Sequence, residues 1–280
     1  MRRLGRDAAA VAGLVVVLAA VVMALAARAL APGDPLKNNL LDRLTPPMWM
    51  AGGNTQHPLG TDTLGRDVAS RLLYGARVSL VVGFAAVIIG GALGVALGLV
   101  AGYYRGWLDD VLMRVGDIQL AFPVLVLAVA VLAVVGSSLS SLVLVLGVTG
   151  WITYARIVRG EALSLREREF VDAARALGAR DRFILLRHIL PNLLPPIVVV
   201  ATFSLARVVV AEASLAFLGL GMPAPTPSWG AMLDEGRNYL TTGWWLALFP
   251  GVAILLLVLG INIVGDWLRD ALDPRVERGM

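Results

Sequence analysis

The chain alternates long apolar runs with short charged segments, and the lengths of the runs decide its architecture. The first run, Ala8 to Leu30, has 23 residues. As a helix it crosses about 30 Å of hydrocarbon, and it exceeds the roughly 7–15 residues of a signal-peptide core, so it is read as a retained span. A second run ends at Tyr104 and is read as a span over 78–104. Gly90, Gly94 and Gly98 recur in it every fourth residue. That spacing admits close approach by another helix, from this chain or from a partner subunit. From Ile118 to Ala155 there are 38 residues without a charge. One helix of that length would rise about 57 Å, twice the hydrocarbon thickness. The Gly136–Ser141 break therefore divides it into spans over 118–135 and 142–158 joined by a tight turn. A fifth span covers 193–220, and a sixth covers 244–264 with Trp244 and Trp245 at the membrane interface. The pattern predicts an all-α, polytopic membrane protein with six transmembrane helices in one domain over 1–280.

The segments between the runs carry the chemistry. Residues 31–77 hold Pro32, Pro35, Pro46, Pro47 and Pro58, and are read as an external segment. Near their end, His57-Pro58-Leu59-Gly60-Thr61-Asp62-Thr63-Leu64-Gly65-Arg66-Asp67 leads into an interfacial helix. Thr61 or Asp62 would cap it, with Val68, Leu72 and Leu73 on its apolar side and Asp–Arg pairs within the motif. After the second span, Asp110, Arg114 and Asp117 are spaced i+4 and i+3, hence on one helical face. They predict either a salt-bridge cluster at the cytoplasmic edge or a solvated face. The fifth span contains Arg207 and Glu212. Ionisable groups at membrane depth face a bundle interior or a watery cavity. Five residues place these two about 140° apart, so each needs its own partner on another helix or subunit. Pro223, Pro225 and Pro227 stiffen the loop before the sixth span.

The most polar insert is Phe170 to Pro191. Phe170, Ala173, Ala174 and Leu177 fall at i, i+3, i+4 and i+7, one face of a helix. Gly178 permits a left-handed stop after it. Asp181 is placed to cap a second short helix with Phe183, Leu186 and Leu190 on its apolar side, and Pro191 is expected to end that helix. Two short helices at an angle form a compact knob that another protein can grip. A helix lying among lipid headgroups is the plainer reading.

Composition and charge orient this picture. The chain is 58% hydrophobic and 16% charged, with mean hydropathy +0.78. A soluble domain has about 25% charged residues. The net charge of +4 comes from arginines at a membrane face rather than from a nucleic-acid surface. Eight Arg against five acidic residues between Ala155 and Leu190 place that loop in the cytoplasm. Arg2, Arg3 and Arg6 place the N-terminus there too, and six spans return the C-terminus to the same side. There is no Cys, so thiolate chemistry is excluded. The only histidines are His57 and His188, far apart in sequence, so no metal site is expected. No GxxxxGK[ST] phosphate cradle and no HExxH is present, and Ser137, Ser138, Ser140 and Ser141 have no nearby His. The chain is therefore not expected to be an enzyme. A secondary transporter would show repeats, broken helices and more than one midplane acid.

Asp172-Ala173-Ala174, Gly178 and Leu190-Pro191 resemble the EAA loop of bacterial ABC importer permeases. Asp172 stands where that family usually has Glu, and His188 where it often has an aliphatic residue. Thr61-Asp62 with Gly65-Arg66-Asp67, the stretch from Ala211 to Leu233, and Gly265 to Arg275 resemble the C-type subunits of the dipeptide, oligopeptide and nickel subgroup. The resemblance implies the type I importer permease fold, with loop 160–191 between helices 4 and 5 as the coupling element. On it, Asp172, Ala173, Ala174, Leu177, Gly178, Leu190 and Pro191 would face the ATPase. It further implies a homologous B-type permease, two cytoplasmic ATP-binding subunits that hold ATP and Mg, an external substrate-binding protein, and the bacterial inner membrane with its lipid. The chain itself would hold no cofactor. Peptides are the expected cargo. Nickel or another small solute is the alternative on the same architecture. A secondary transporter or membrane scaffold is the alternative from another class.

Overall fold

The computed structural model describes residues 7–272, so Arg2, Arg3, Arg6 and the Asp273-Pro274-Arg275 end lie outside the described residues. The helices are α1 (Ala8–Leu30), α2 (Val68–Tyr104), α3 (Gly106–Leu120), α4 (Val124–Val135), α5 (Leu139–Leu165), α6 (Glu169–Ala176), α7 (Asp181–Phe183), α8 (Leu190–Phe217), α9 (Trp229–Gly236) and α10 (Trp245–Leu272). Among the described residues there is no β-strand, only an isolated bridge between Thr61 and Asp67. Among the described residues five helices are long and apolar enough to cross a membrane, and the bent α3–α4 pair makes a sixth if it is one span.

Side-chain oxygens start these helices by accepting otherwise unpaired N–H groups. Asp7 accepts from Ala10 N at 3.2 Å, Asp67 from Ser70 N at 2.6 Å, and Ser138 from Ser141 N at 3.0 Å. α1 begins and ends where the hydropathy pattern puts it. The others differ. α2 starts ten residues before the expected 78, because its first turns are polar and buried in the loop that precedes it. The interfacial helix expected over that stretch is thus the beginning of α2, with Asp67 rather than Thr61 or Asp62 as its cap. α5 extends past 158 to Leu165, and α10 continues to Leu272.

The expected single span over 118–135 is replaced by two helices meeting at 83°. Pro123 lies at the break; it has no N–H to donate and disfavours helical geometry at Phe122. α4 alone rises only about 18 Å, short of about 30 Å of hydrocarbon, so the break marks either a span shared with α3 or a re-entrant loop. Gln119 on α3 ties the pair to α5, donating to Thr149 O and accepting from Trp151 Nε1, both at 2.7 Å.

The core is built on α2 and α5. Each glycine of the fourfold repeat faces the backbone of α5: a Cβ at Gly90 would meet Gly147 O at 2.7 Å, and at Gly98 Ala155 O at 2.6 Å. At Gly94 it would collide with Trp151 O. The helix that approaches the glycines is therefore this chain's own. α8 packs against α2, α5 and α10, and α1 lies across α2 and α10.

This packing generates a contrast between two glycines one turn apart. Gly94→Val should overpack the α2–α5 contact and destabilise the protein by at least about 1–3 kcal/mol. Gly91→Ala should be close to neutral, since its Cβ would meet only the Tyr154 ring at 3.5 Å. Thermal unfolding of the two variants in nanodiscs measures the difference; equal melting temperatures would contradict this account of the core.

Candidate functional site

Two polar constructions stand at opposite ends of the bundle. The first is the knob between α5 and α8. α6 stops in a double hydrogen-bonded turn, with Gly178 N donating to Arg175 O at 2.9 Å and Ala179 N to Ala174 O at 3.0 Å. This is the Schellman arrangement, which needs a left-handed residue. Gly178 supplies it at φ +79°. A Cβ at Gly178 would touch nothing within 4 Å, so the surface there is open.

The buried face of α6 differs from the expected one. Val171 and Ala174 point inward against Ile184, Ile189 and Leu193, whereas Phe170, Ala173 and Leu177 are exposed, Leu177 at 88%. A helix of two turns buries only the residues its neighbours cover, so apolar periodicity picked the wrong side. Exposed Phe183 and Leu186 continue the apolar surface, and Arg180, Arg182 and Arg187 rim it. His188 sits between Phe170 and Phe183, with ring centroids 6.3 and 5.4 Å away. Asp172 is exposed and pairs with Arg175 at 3.2 Å.

Asp181 does not cap its helix. Arg180 occupies the N-cap without a side-chain bond, and the Asp181 carboxylate instead accepts from Tyr103 Oη at 2.7 Å. Pro191 does not end the helix either. α7, a π-helical stretch Ile184–Ile189 and α8 run on continuously, so Leu190 and the exposed Pro191 lie in one unbroken helix from Asp181 to Phe217. Leu190 N donates back five residues to Leu185 O. The wider turn lets the chain carry the proline ring and its missing donor without a break.

Near the knob, the expected Asp110–Arg114–Asp117 cluster is not formed. Among the described residues no ion pair joins Arg114 to either carboxylate, and Asp117 pairs with Arg156 at 2.5 Å. The neighbouring Asp109 takes both Arg159 Nε and Nη2, the latter at 2.6 Å. Cross-helix partners on α5 replace the local ones because α3 packs along α5.

At the other end, Thr61, Asp62, Gly65, Arg66 and Asp67 come together in a buried clasp. Asp62 accepts from Leu64 N at 2.8 Å, Arg66 N at 3.0 Å and Arg66 Nε at 2.6 Å, and also from Arg71 Nη1. Arg71 closes a two-pronged pair on Glu235, at 2.5 and 2.9 Å, and Arg66 Nη2 reaches the same carboxylate at 3.1 Å. Thr61 O accepts from Trp245 Nε1 at 3.1 Å. Trp245 is thus buried beneath the clasp rather than at the membrane interface. A Cβ at Gly65 would strike Asn39 O. His57 is structural: its Nδ1 lies 3.1 Å from Asp67 Oδ1. Arg71 and Glu235 carry half of this cluster yet were not singled out from sequence. Arg71 follows Asp67 at i+4, a usable signal; Glu235 lies 164 residues from Arg71 and had none.

The two charges of the fifth span lie in α8 and remain apart. Arg207 Nη2 donates to Ser204 Oγ on its own helix at 2.9 Å. Glu212 is 0% exposed and accepts from Ser79 Oγ of α2 at 3.0 Å, so its partner is another helix of this chain.

A multi-span helical bundle with a rigid polar clasp at one end and an apolar, arginine-rimmed knob at the other is a membrane permease subunit in architecture. Residues 94–278 match the family described as binding-protein-dependent transport system inner membrane component, and residues 1–47 match the N-terminal transmembrane domain of oligopeptide transport permease C. The chain belongs to this family of binding-protein-dependent inner membrane transport components. It is 41% identical to the dipeptide transport system permease protein DppC of Alkalihalophilus pseudofirmus, over 99% of this chain and 89% of that one. It is 42% identical to the glutathione transport system permease protein GsiD of Pectobacterium atrosepticum, over 99% and 90%. Its fold matches the MetNI methionine ABC transporter in an inward-facing conformation, with TM-score 0.58 and 24% identity over 72% of this chain and 96% of that chain. The fold is therefore that of an ABC importer permease in the inner membrane.

The clasp predicts an asymmetry between its members. Removing one partner of a buried ion pair costs about 3–5 kcal/mol. Arg71→Leu should therefore be strongly destabilising. Glu235→Gln should cost less, because Glu235 is 34% exposed and Gln keeps an acceptor. Thermal unfolding ranks the two, and the opposite order would count against the clasp as a buried electrostatic tie.

Proposed function

We propose that this chain is one of two permease subunits of an ATP-driven importer of short peptides. The clasp end faces outward, toward an external substrate-binding protein, and the knob end faces the cytoplasm. Both termini then lie inside. Two cytoplasmic ATP-binding subunits hold ATP and Mg and carry out the phosphoryl chemistry. This chain contributes half of the translocation pathway and converts events at the ATPases into movement of its spans.

The observation that carries this reading is the knob. Phe170, Leu177, Phe183 and Leu186 are apolar side chains left uncovered on a charged segment, rimmed by arginines. Apolar anchors with a basic rim suit a cleft with an apolar floor and acidic edges. Asp172, Ala173 and Gly178 keep the outer surface of the knob small enough to enter such a cleft. Peptide cargo follows from the names of the relatives, which transport dipeptides, glutathione or peptides. Selection among peptides is assigned to the binding protein.

Two outcomes are expected. A single Cys at Arg180 is clean to read in a chain with no native Cys. It should resist an impermeant thiol reagent in intact cells and react in inverted vesicles; labelling in intact cells would reverse the orientation. Gly178→Leu forces a side chain into left-handed geometry at a cost of about 1–2 kcal/mol, enough to weaken docking roughly tenfold. It should reduce ATPase co-purification while the spans stay folded. Gly160→Ala, a glycine with open space outside the knob, should leave co-purification intact.

A further inference from the structure

The two arms of the knob belong to different bodies of the bundle. The first arm, α6, follows α5 through a turn of three residues. α5 is locked to α2 by the glycine contacts, where backbone meets backbone and leaves no side-chain layer to slide. The second arm, α7 and the π-helical stretch, is continuous with α8. Any displacement of α8 relative to the α2–α5 pair must therefore appear at the knob as a change between its arms. Gly178 is the joint between them.

One side chain bridges the two bodies at that joint. Tyr103, one residue from the end of α2, is buried in the apolar cluster that also holds Val171 and Ala174 of the first arm and Ile184 of the second. Its carbonyl accepts from Arg166 Nη1, which holds it to the root of the first arm. The Arg175 guanidinium of the first arm lies 5.6 Å from the Tyr103 ring centroid. Its hydroxyl donates to Asp181 at the start of the second arm, at 2.7 Å. Just beyond it, Arg105 takes φ +59°, a costly geometry for a side-chain-bearing residue, and pairs with Glu167 at 2.9 Å. The end of α2 is thus fixed to the first arm by several polar contacts, and to the second by apolar packing and one side-chain hydrogen bond.

We infer that Tyr103 is a positioning residue for coupling: its bond to Asp181 sets the angle between the two arms and reports the position of α8, relative to α2 and α5, to whatever grips the knob. This rests on the coupling role of the knob. The bond needs an acceptor at position 181, not a charge, and that separates a latch from a generic ion-pair or packing effect.

The test uses the assembled transporter in nanodiscs, with ATP turnover measured without and with its binding protein and a mixture of di- and tripeptides. Tyr103→Phe removes only the hydroxyl. It should assemble with the ATPases and change the ratio of stimulated to basal turnover by about 2- to 10-fold, the range spanned by one net hydrogen bond. Asp181→Leu should reproduce that change. Asp181→Asn, which retains an acceptor oxygen, should restore the wild-type ratio. An unchanged ratio in Tyr103→Phe overturns the latch, as does Asp181→Asn behaving like Asp181→Leu. Failure of Tyr103→Phe to assemble also overturns it, since the residue would then only support the fold of the knob. Gly178→Leu, run in parallel, separates the two levels. If it uncouples while Tyr103→Phe does not, the latch fails and the coupling knob stands. If neither variant changes assembly or the ratio, the coupling reading fails as well.

Discussion

The contact on which the rest depends is the direct approach of α2 to α5. Glycines spaced one turn apart remove the side-chain layer that normally separates two helices, so carbonyls of α5 sit where Cβ atoms of α2 would be. Between apolar helices in lipid there is no hydrophobic drive to associate, and close van der Waals fit has to do the holding. The stripe provides that fit over four successive turns, Gly90 to Gly102. Around this pair the other helices arrange themselves: α8 across one side, α4 against the N-terminal half of α5, α1 and α10 further out.

α2 also sets the vertical frame. Its 37 residues rise about 55 Å, well beyond about 30 Å of hydrocarbon. Both ends therefore stand in polar surroundings, and each is tied there by charged or hydrogen-bonded groups. At the clasp, Asp67 accepts from Ser70 N and faces His57, and Arg71 pairs with the nearby Asp62 and with Glu235 of α9. Near the knob, Tyr103 and Arg105 hold the root of the next segments. The two ends are built differently. The clasp pairs its charges with one another, whereas the knob leaves apolar side chains uncovered.

Much of this was legible in the chain. Run lengths located six spans, the glycine repeat marked the tightest packing, and Gly178 marked a left-handed stop. What the sequence misled about has a common cause: contacts between segments distant in the chain. The charged start of α2 reads as a separate interfacial helix ahead of the span because hydropathy counts Arg71 and Arg77 as solvated. In the fold, Glu235 neutralises the first, and the second donates to Ala24 O at 2.5 Å. The apolar face of α6 was assigned from periodicity alone, but Tyr103 and Ile184 decide which side is covered. Local rules make Pro191 a stop, because an α-helix cannot carry it easily. The π-helical turn before it changes that rule, and nothing in local composition announces such a turn.

That π-helical turn bears on how this joint tolerates a change in chain length. A π segment holds an extra residue relative to the α-helix it interrupts. Removing one residue from Ile184–Ile189 would let the helix regularise without losing its continuity. The arms would then keep nearly the same phase about the axis of α8 and nearly the same distance from the bilayer, because the wider turn had absorbed the extra residue. A change of one residue at this position is therefore absorbed in the turn itself: the chain can gain or lose it without re-aiming the knob or rebuilding the span beside it.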